Sequence, residues 1–96
     1  MTSTDTAEPA WALAELREEI ERVDAGLVAL IAERARLARA VGEAKRRLAL
    51  PLVDEEREEA VLRHAAHLAR DAGLDEAAVS GIFRTLIQMS RAVQAE

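Results

Sequence analysis

The sequence predicts an all-α protein: a three-helix subunit with one very long first helix, paired with a second copy as an intertwined homodimer. Three observations lead there. Apolar residues recur at helical spacing along almost the whole chain. Only two Pro and four Gly interrupt that pattern. The first periodic stretch is longer than a single small domain can cover.

Residues 1–9 are polar and acidic, and they are expected to form a disordered tail ahead of one domain over 10–96. They hold neither a basic stretch nor an apolar core, so no signal peptide is expected. From about Trp11 to about Arg47, Leu13, Ile20, Leu27, Val41 and Leu48 form one seven-residue ladder. Leu16, Val23, Leu30 and Leu37 form the second ladder of the same face. Gly26 and Gly42 lower helix propensity without forbidding the helix. At 1.5 Å per residue this helix runs roughly 55 Å, against a diameter of about 26 Å for a compact domain of this length. Its apolar face stays wet unless another chain covers it, which is the case for a dimer.

Ala49-Leu50-Pro51-Leu52-Val53 breaks the pattern, and Pro51 disfavours the α conformation at Leu50. Asp54 then stands at an N-cap position, with Glu55, Glu56, Glu58 and Glu59 favourably placed near the positive end of the second helix. Val61, Leu62, Ala65, Leu68 and Ala69 are its expected buried face. Gly73 suits the residue just past the helix end, with Leu74 supplying the accompanying apolar contact. Asp75 caps a third helix whose stripe is Val79, Ile82, Phe83, Leu86, Ile87, Ser90, Val93 and Gln94. The chain stops with this helix, so no fused catalytic or regulatory domain is expected.

Composition narrows the function. With no Cys, neither disulfides nor thiolate metal sites can form, which suits a reducing, cytoplasmic setting. A net charge of −5 argues against a nucleic-acid partner, and no apolar run is long enough to span a bilayer. His64 and His67 lie three residues apart but without a carboxylate clearly on their face, so no metal is expected. There is no Gly-rich phosphate loop and no nucleophile elbow. An anionic ligand must therefore find a local cluster of cations on an acidic protein.

The stripes supply one. Position 34, between Leu27 and Val41 on the first ladder, is Arg34, and Lys45 three turns on lies about 20° around the helix from it. On the third helix, Ser90 and Gln94 occupy stripe positions four residues apart. Taken singly, each has an ordinary explanation: an Arg at a core position sets register or snorkels, a Lys near a helix C-terminus favours the dipole, and residues near a chain end fray. As a set they point to a cavity lined by cations and amides, because burying them unpaired is costly. Arg17 precedes Arg34 by 17 residues, a rise of about 25 Å. One small ligand cannot touch both in one chain, so Arg17 is either a surface residue or enters the partner's site.

From about Leu13 to Gln94, the chain resembles the all-helical class of chorismate mutases, in its bacterial, monofunctional form. The resemblance rests on Leu16-Arg17-Glu18-Glu19-Ile20, Ala32-Glu33-Arg34, Val41-Gly42-Glu43-Ala44-Lys45, Pro51, Asp54 with Arg57-Glu58, and Ser90 with Gln94. It implies a dimer of three-helix subunits with two active sites, each built from both chains, that converts chorismate to prephenate without a cofactor. By position, Arg34 and the partner chain's Arg17 grip the two carboxylates. Lys45 and Gln94 hydrogen-bond the ether oxygen, and Ser90 helps place a carboxylate. Glu58 and the backbone near Asp54 receive the ring hydroxyl, and Arg57 completes the polar wall. Lys45, Gln94 and Arg34 are the expected catalytic residues. Arg91 beside Ser90, where an apolar residue is expected, and Met89 depart from this pattern. They leave 4-amino-4-deoxychorismate open as an alternative substrate, since Glu58 can accept an ammonium as well as a hydroxyl. An isochorismate pyruvate lyase fits less well, and a non-catalytic helical dimerisation module is the reading from another class.

Overall fold

The computed structural model describes residues 9–96, so the expected N-terminal tail lies outside the described residues apart from Pro9. Three helices follow in order: α1 (Ala10–Arg47), α2 (Glu55–Asp71) and α3 (Glu76–Gln94), with no strand among the described residues. α1 starts one residue earlier than the apolar pattern indicates, because the Pro9 carbonyl accepts the Ala12 N–H at 3.0 Å and closes the first turn. None of the three is long and apolar enough to cross a membrane. The chain divides into two compact units, one ending at Ala32 and the other running Glu33–Glu96.

Apart from Pro9, the described part of the first unit is helix alone. Leu16, Ile20, Val23, Leu27 and Leu30 of its two ladders are all exposed, Leu30 at 68%. A single amphipathic helix has nothing of its own to bury such a stripe against.

In the second unit α2 packs against α3. The fully covered apolar side chains are few: Ala65 and Ala69 of α2 and Ile87 of α3. Two expectations for these faces are corrected. Leu68 is 50% exposed, because it sits 100° around the helix from Ala69, at the edge of the stripe. Ile82 is 59% exposed, because it lies 140° from the buried Ile87.

The helix ends explain the turns between elements. The Asp54 side chain accepts the Arg57 N–H at 3.0 Å, and that of Asp75 accepts the Ala77 N–H at 3.0 Å. α2 ends with Gly73 at φ 72°, the Leu74 N–H reaching the Ala69 carbonyl at 2.8 Å and the Gly73 N–H reaching that of Arg70 at 3.1 Å. Leu74 itself stays mostly exposed, so hydrogen bonds rather than a buried leucine hold this cap. α1 ends in the same motif with a residue less suited to it: Ala49 stands at φ 56°. The Leu50 N–H reaches the Lys45 carbonyl at 2.8 Å. A Cβ in this left-handed region costs about 1–2 kcal/mol. The turn sends the chain back along α1, where the Leu52 carbonyl meets the Lys45 side chain.

Gly42 governs the approach of the other end of the unit. A Cβ built there would lie 2.8 Å from the carbonyl oxygen of Gln94 and 2.9 Å from its Cα. The C-terminal turn of α3 thus rests directly on the backbone of α1. The Arg46 guanidinium donates to the Gln94 carbonyl at 2.8 Å, and Arg39 pairs with Glu96 at 2.7 Å. These contacts place the Gln94 side chain.

Candidate active site

A cavity of about 300 Å³ lies within the second unit. α1 lines it with Arg34, Leu37, Ala38, Val41 and Lys45, and the connection adds Leu52 and Asp54. α2 contributes Arg57, Glu58 and Val61, and α3 contributes Ile87, Ser90 and Gln94. Seven of the eight site residues expected from sequence are therefore gathered here. Arg17 is not among the lining residues; it stands exposed on α1 in the first unit. Met89 is also absent from the lining and is 43% exposed.

Lys45 donates to the Leu52 carbonyl at 2.7 Å and to Oε1 of Gln94 at 2.9 Å. An ammonium has three N–H donors, so two anchor it and one remains for a ligand. The contact also orients Gln94. Lysine only donates, so the amide oxygen must face it and the Gln94 NH₂ is turned elsewhere, free to donate. Lys45 and Gln94 together present two fixed donors to one region of the cavity.

Arg34 is half-buried, and one guanidinium nitrogen, Nη1, donates both to the Leu86 carbonyl at 3.2 Å and to the Ser90 hydroxyl oxygen. That leaves the Nε–Nη2 edge, the fork geometry that binds a carboxylate through two parallel hydrogen bonds. Ser90 accepts from Arg34, so its own proton is available to a carboxylate oxygen. No histidine stands among the lining residues to activate the hydroxyl as a nucleophile. Arg34 and Lys45 are thus satisfied by neutral acceptors, and their charge is left for a ligand.

On the α2 side, Arg57 is exposed and its side chain has no hydrogen-bond or ion-pair partner among the described residues. Glu58 is different. Arg91 donates to both its carboxylate oxygens, at 2.7 and 2.6 Å. The hydrogen bonding from Arg91 holds the Glu58 carboxyl below the ordinary carboxylate value, with partial burial and Asp54 opposing and the charges of Arg91 and Lys45 assisting. Arg91, an unexpected cation by sequence, does not line this cavity; it borders an adjoining hollow on the far side of Glu58. Sequence reasoning also missed Gly42, Arg46 and the carbonyls of Leu52 and Leu86. Backbone acceptors carry no sequence signature, but the glycine inside the apolar pattern of α1, which the structure buries, was a usable sign of close approach.

The arrangement is a small cleft with three cations, two carboxylates and several anchored donors. It can grip an anion and stabilise negative charge developing on a bound oxygen. The chorismate mutase type II family profile matches residues 16–95. The chain belongs to that family, whose reaction is an isomerase-type rearrangement. It is 38% identical to a chorismate mutase of Methanocaldococcus jannaschii, over 85% of this chain and 83% of that one. It is 39% identical to a bifunctional chorismate mutase/prephenate dehydratase of Aquifex aeolicus over 62% of this chain, which spans only 16% of that relative. Among solved structures, a conserved hypothetical protein from Pyrococcus furiosus superposes with a TM-score of 0.72 at 32% identity, over 90% of this chain and 99% of that one.

Proposed function

We propose that the chain exercises the family's chorismate mutase activity in this cavity. It converts chorismate to prephenate for aromatic amino-acid biosynthesis, in the cytoplasm and without a cofactor. The observation that carries the reading is the Lys45–Gln94 pair: Lys45 donates to Gln94 Oε1 at 2.9 Å and to the Leu52 carbonyl at 2.7 Å, which fixes both side chains in the cavity. The rearrangement needs no acid, base or nucleophile. It needs a compact substrate conformer and stabilisation of the ether oxygen as its bond to carbon breaks. The free edge of Arg34 and the Ser90 hydroxyl hold one carboxylate, and the third N–H of Lys45 and the Gln94 amide reach the ether oxygen. Glu58 accepts the proton of the ring hydroxyl, the backbone near Asp54 helps to receive the group, and Arg57 closes the polar wall. Positioning and such donors together supply the roughly 8 kcal/mol at the low end of enzymatic rate enhancements.

The active form is a homodimer, and Arg17 of the partner subunit binds the second carboxylate. The support is twofold. The first unit leaves both apolar ladders exposed, and Arg17 stands exposed beside them. A larger interface also suits a chain that fully covers so few apolar side chains. The test uses Arg34→Ala and Arg17→Ala variants. Each is expected to lose nearly all kcat/KM for chorismate, and mixing them should restore part of it through hybrid dimers. If chain exchange is demonstrated and activity stays absent, the shared site is wrong. If wild-type protein leaves chorismate unchanged, the assignment of this cavity is wrong.

A further inference from the structure

The residue that binds Glu58 from outside the cavity bears on which substrate the cavity accepts. Arg91 on α3 donates through Nε and Nη2 to both oxygens of Glu58 on α2, a bidentate fork with contacts of 2.7 and 2.6 Å. Glu58 lines the catalytic cavity, and Arg91 borders only the adjoining hollow together with Glu55, Glu59, Arg84 and Gln88. The guanidinium therefore holds the carboxylate from the adjoining hollow, outside the lining of the cavity. From that position it does two things: it fixes the direction of the carboxylate lone pairs that remain, and it offsets part of the carboxylate's negative field, reduced by the solvent that reaches the pair.

We infer that Arg91 is a specificity-determining positioning residue, acting through Glu58 to favour a substrate with a neutral hydroxyl on its ring over one with an ammonium there. The inference rests on the assignment of Glu58 to the ring substituent made above. The physical reason is the difference between the two groups. A hydroxyl needs a well-aimed acceptor and little net field, and a carboxylate already paired with arginine provides that. An ammonium needs uncompensated negative charge. Here it meets a carboxylate already paired with Arg91, with Lys45, Arg34 and Arg57 also lining the cavity and Asp54 as the second anion of the lining. Glu55 and Glu59 line that hollow from α2 and Arg84 from α3, so the charge there is mixed; among the described residues only Arg91 bonds the carboxylate. Removing Arg91 exposes the full charge of Glu58 to the cavity and frees its side chain to turn.

The experiment measures kcat/KM for chorismate and for 4-amino-4-deoxychorismate with wild-type protein and with Arg91→Met and Arg91→Lys variants. Helical content by circular dichroism verifies folding. In wild-type protein the hydroxyl substrate is preferred. In Arg91→Met the ratio of amino to hydroxyl substrate rises about fivefold or more, a discounted Coulomb effect for a partly exposed pair. Arg91→Lys keeps the charge but loses the fork. It should keep the wild-type preference while losing rate on both substrates. If Arg91→Met does not fold, Arg91→Gln takes its place with the same expectation. A ratio within twofold of wild type in a folded, active variant overturns the inference and leaves the assignment of the cavity standing. Failure of the wild-type protein on both substrates overturns both.

Discussion

Replacing Gly42 with alanine tests whether close helix packing sets the catalytic geometry. The added Cβ would lie 2.8 Å from the Gln94 carbonyl oxygen, 2.9 Å from its Cα and 3.2 Å from its Cβ. Carbon contacts settle at about 3.5–4.0 Å, so the last turn of α3 must retreat by about 0.6–1 Å. The neighbours that would have to give way are mostly backbone, which a rotamer change cannot move. Stretched by that amount, the 2.9 Å bond between Lys45 and Gln94 passes beyond hydrogen-bonding distance. A misplacement of this size costs up to about 10²-fold in rate, so kcat for chorismate should fall by about 10- to 100-fold. Stability should move much less. The alanine gains about 1 kcal/mol of helix propensity, and overpacking costs about 1–3 kcal/mol. Gly81→Ala is the control, because among the described residues no atom beyond its own stretch of helix lies within 4 Å of the Cβ it would add. It should keep activity and gain stability. The assay is loss of chorismate absorbance, with thermal unfolding followed by circular dichroism. If Gly42→Ala is folded and its kcat is within threefold of wild type, the packing of α3 against Gly42 does not set the donor geometry.

Gln94→Glu should lose about 10²- to 10³-fold in kcat/KM at pH 7.5, because a carboxylate beside Lys45 accepts but cannot donate. Its activity should recover as the pH is lowered, whereas wild-type activity should vary little between about pH 6 and 8; a flat profile in the variant refutes the donor role. Ala49→Gly relieves the left-handed strain at the end of α1, partly offset by the greater freedom of glycine in the unfolded chain. It should raise the melting temperature by about 3–6 °C; calorimetry showing no gain means the turn is not strained. Glu33, Glu58, Glu76 and Glu96 are all held below the ordinary carboxylate value of 4.5, chiefly by hydrogen bonds from Arg36, Arg91, Arg70 and Arg39. A folded value below the unfolded one means that their stabilisation is complete above about pH 4.5 and is lost as pH falls through the folded value. The melting temperature should hold from pH 7 to about 5.5 and fall below 4.5, and a rise on acidification contradicts these pairs.

What was legible in the sequence followed from periodicity and local chemistry. The ladders from Leu13 to Leu48 required a long helix. Asp54, Gly73 and Asp75 marked its successors' ends through hydrogen bonds that a few neighbouring residues can satisfy. Arg34, Lys45, Ser90 and Gln94 stood out because they break an apolar stripe, and such breaks are visible without coordinates. Tertiary structure decided what these residues do to one another. That the Leu52 carbonyl would anchor Lys45 depends on a left-handed turn at Ala49, which no propensity at that position announces, and that Gln94 would do so depends on the seating of α3 against Gly42. Arg91 was visible as an anomaly, but its place behind Glu58 depends on how α3 lies against α2. Leu68 and Ile82 belong to apolar stripes by count and are exposed in fact. A stripe says which residues could be buried; only the position of the neighbouring helix says which of them it reaches.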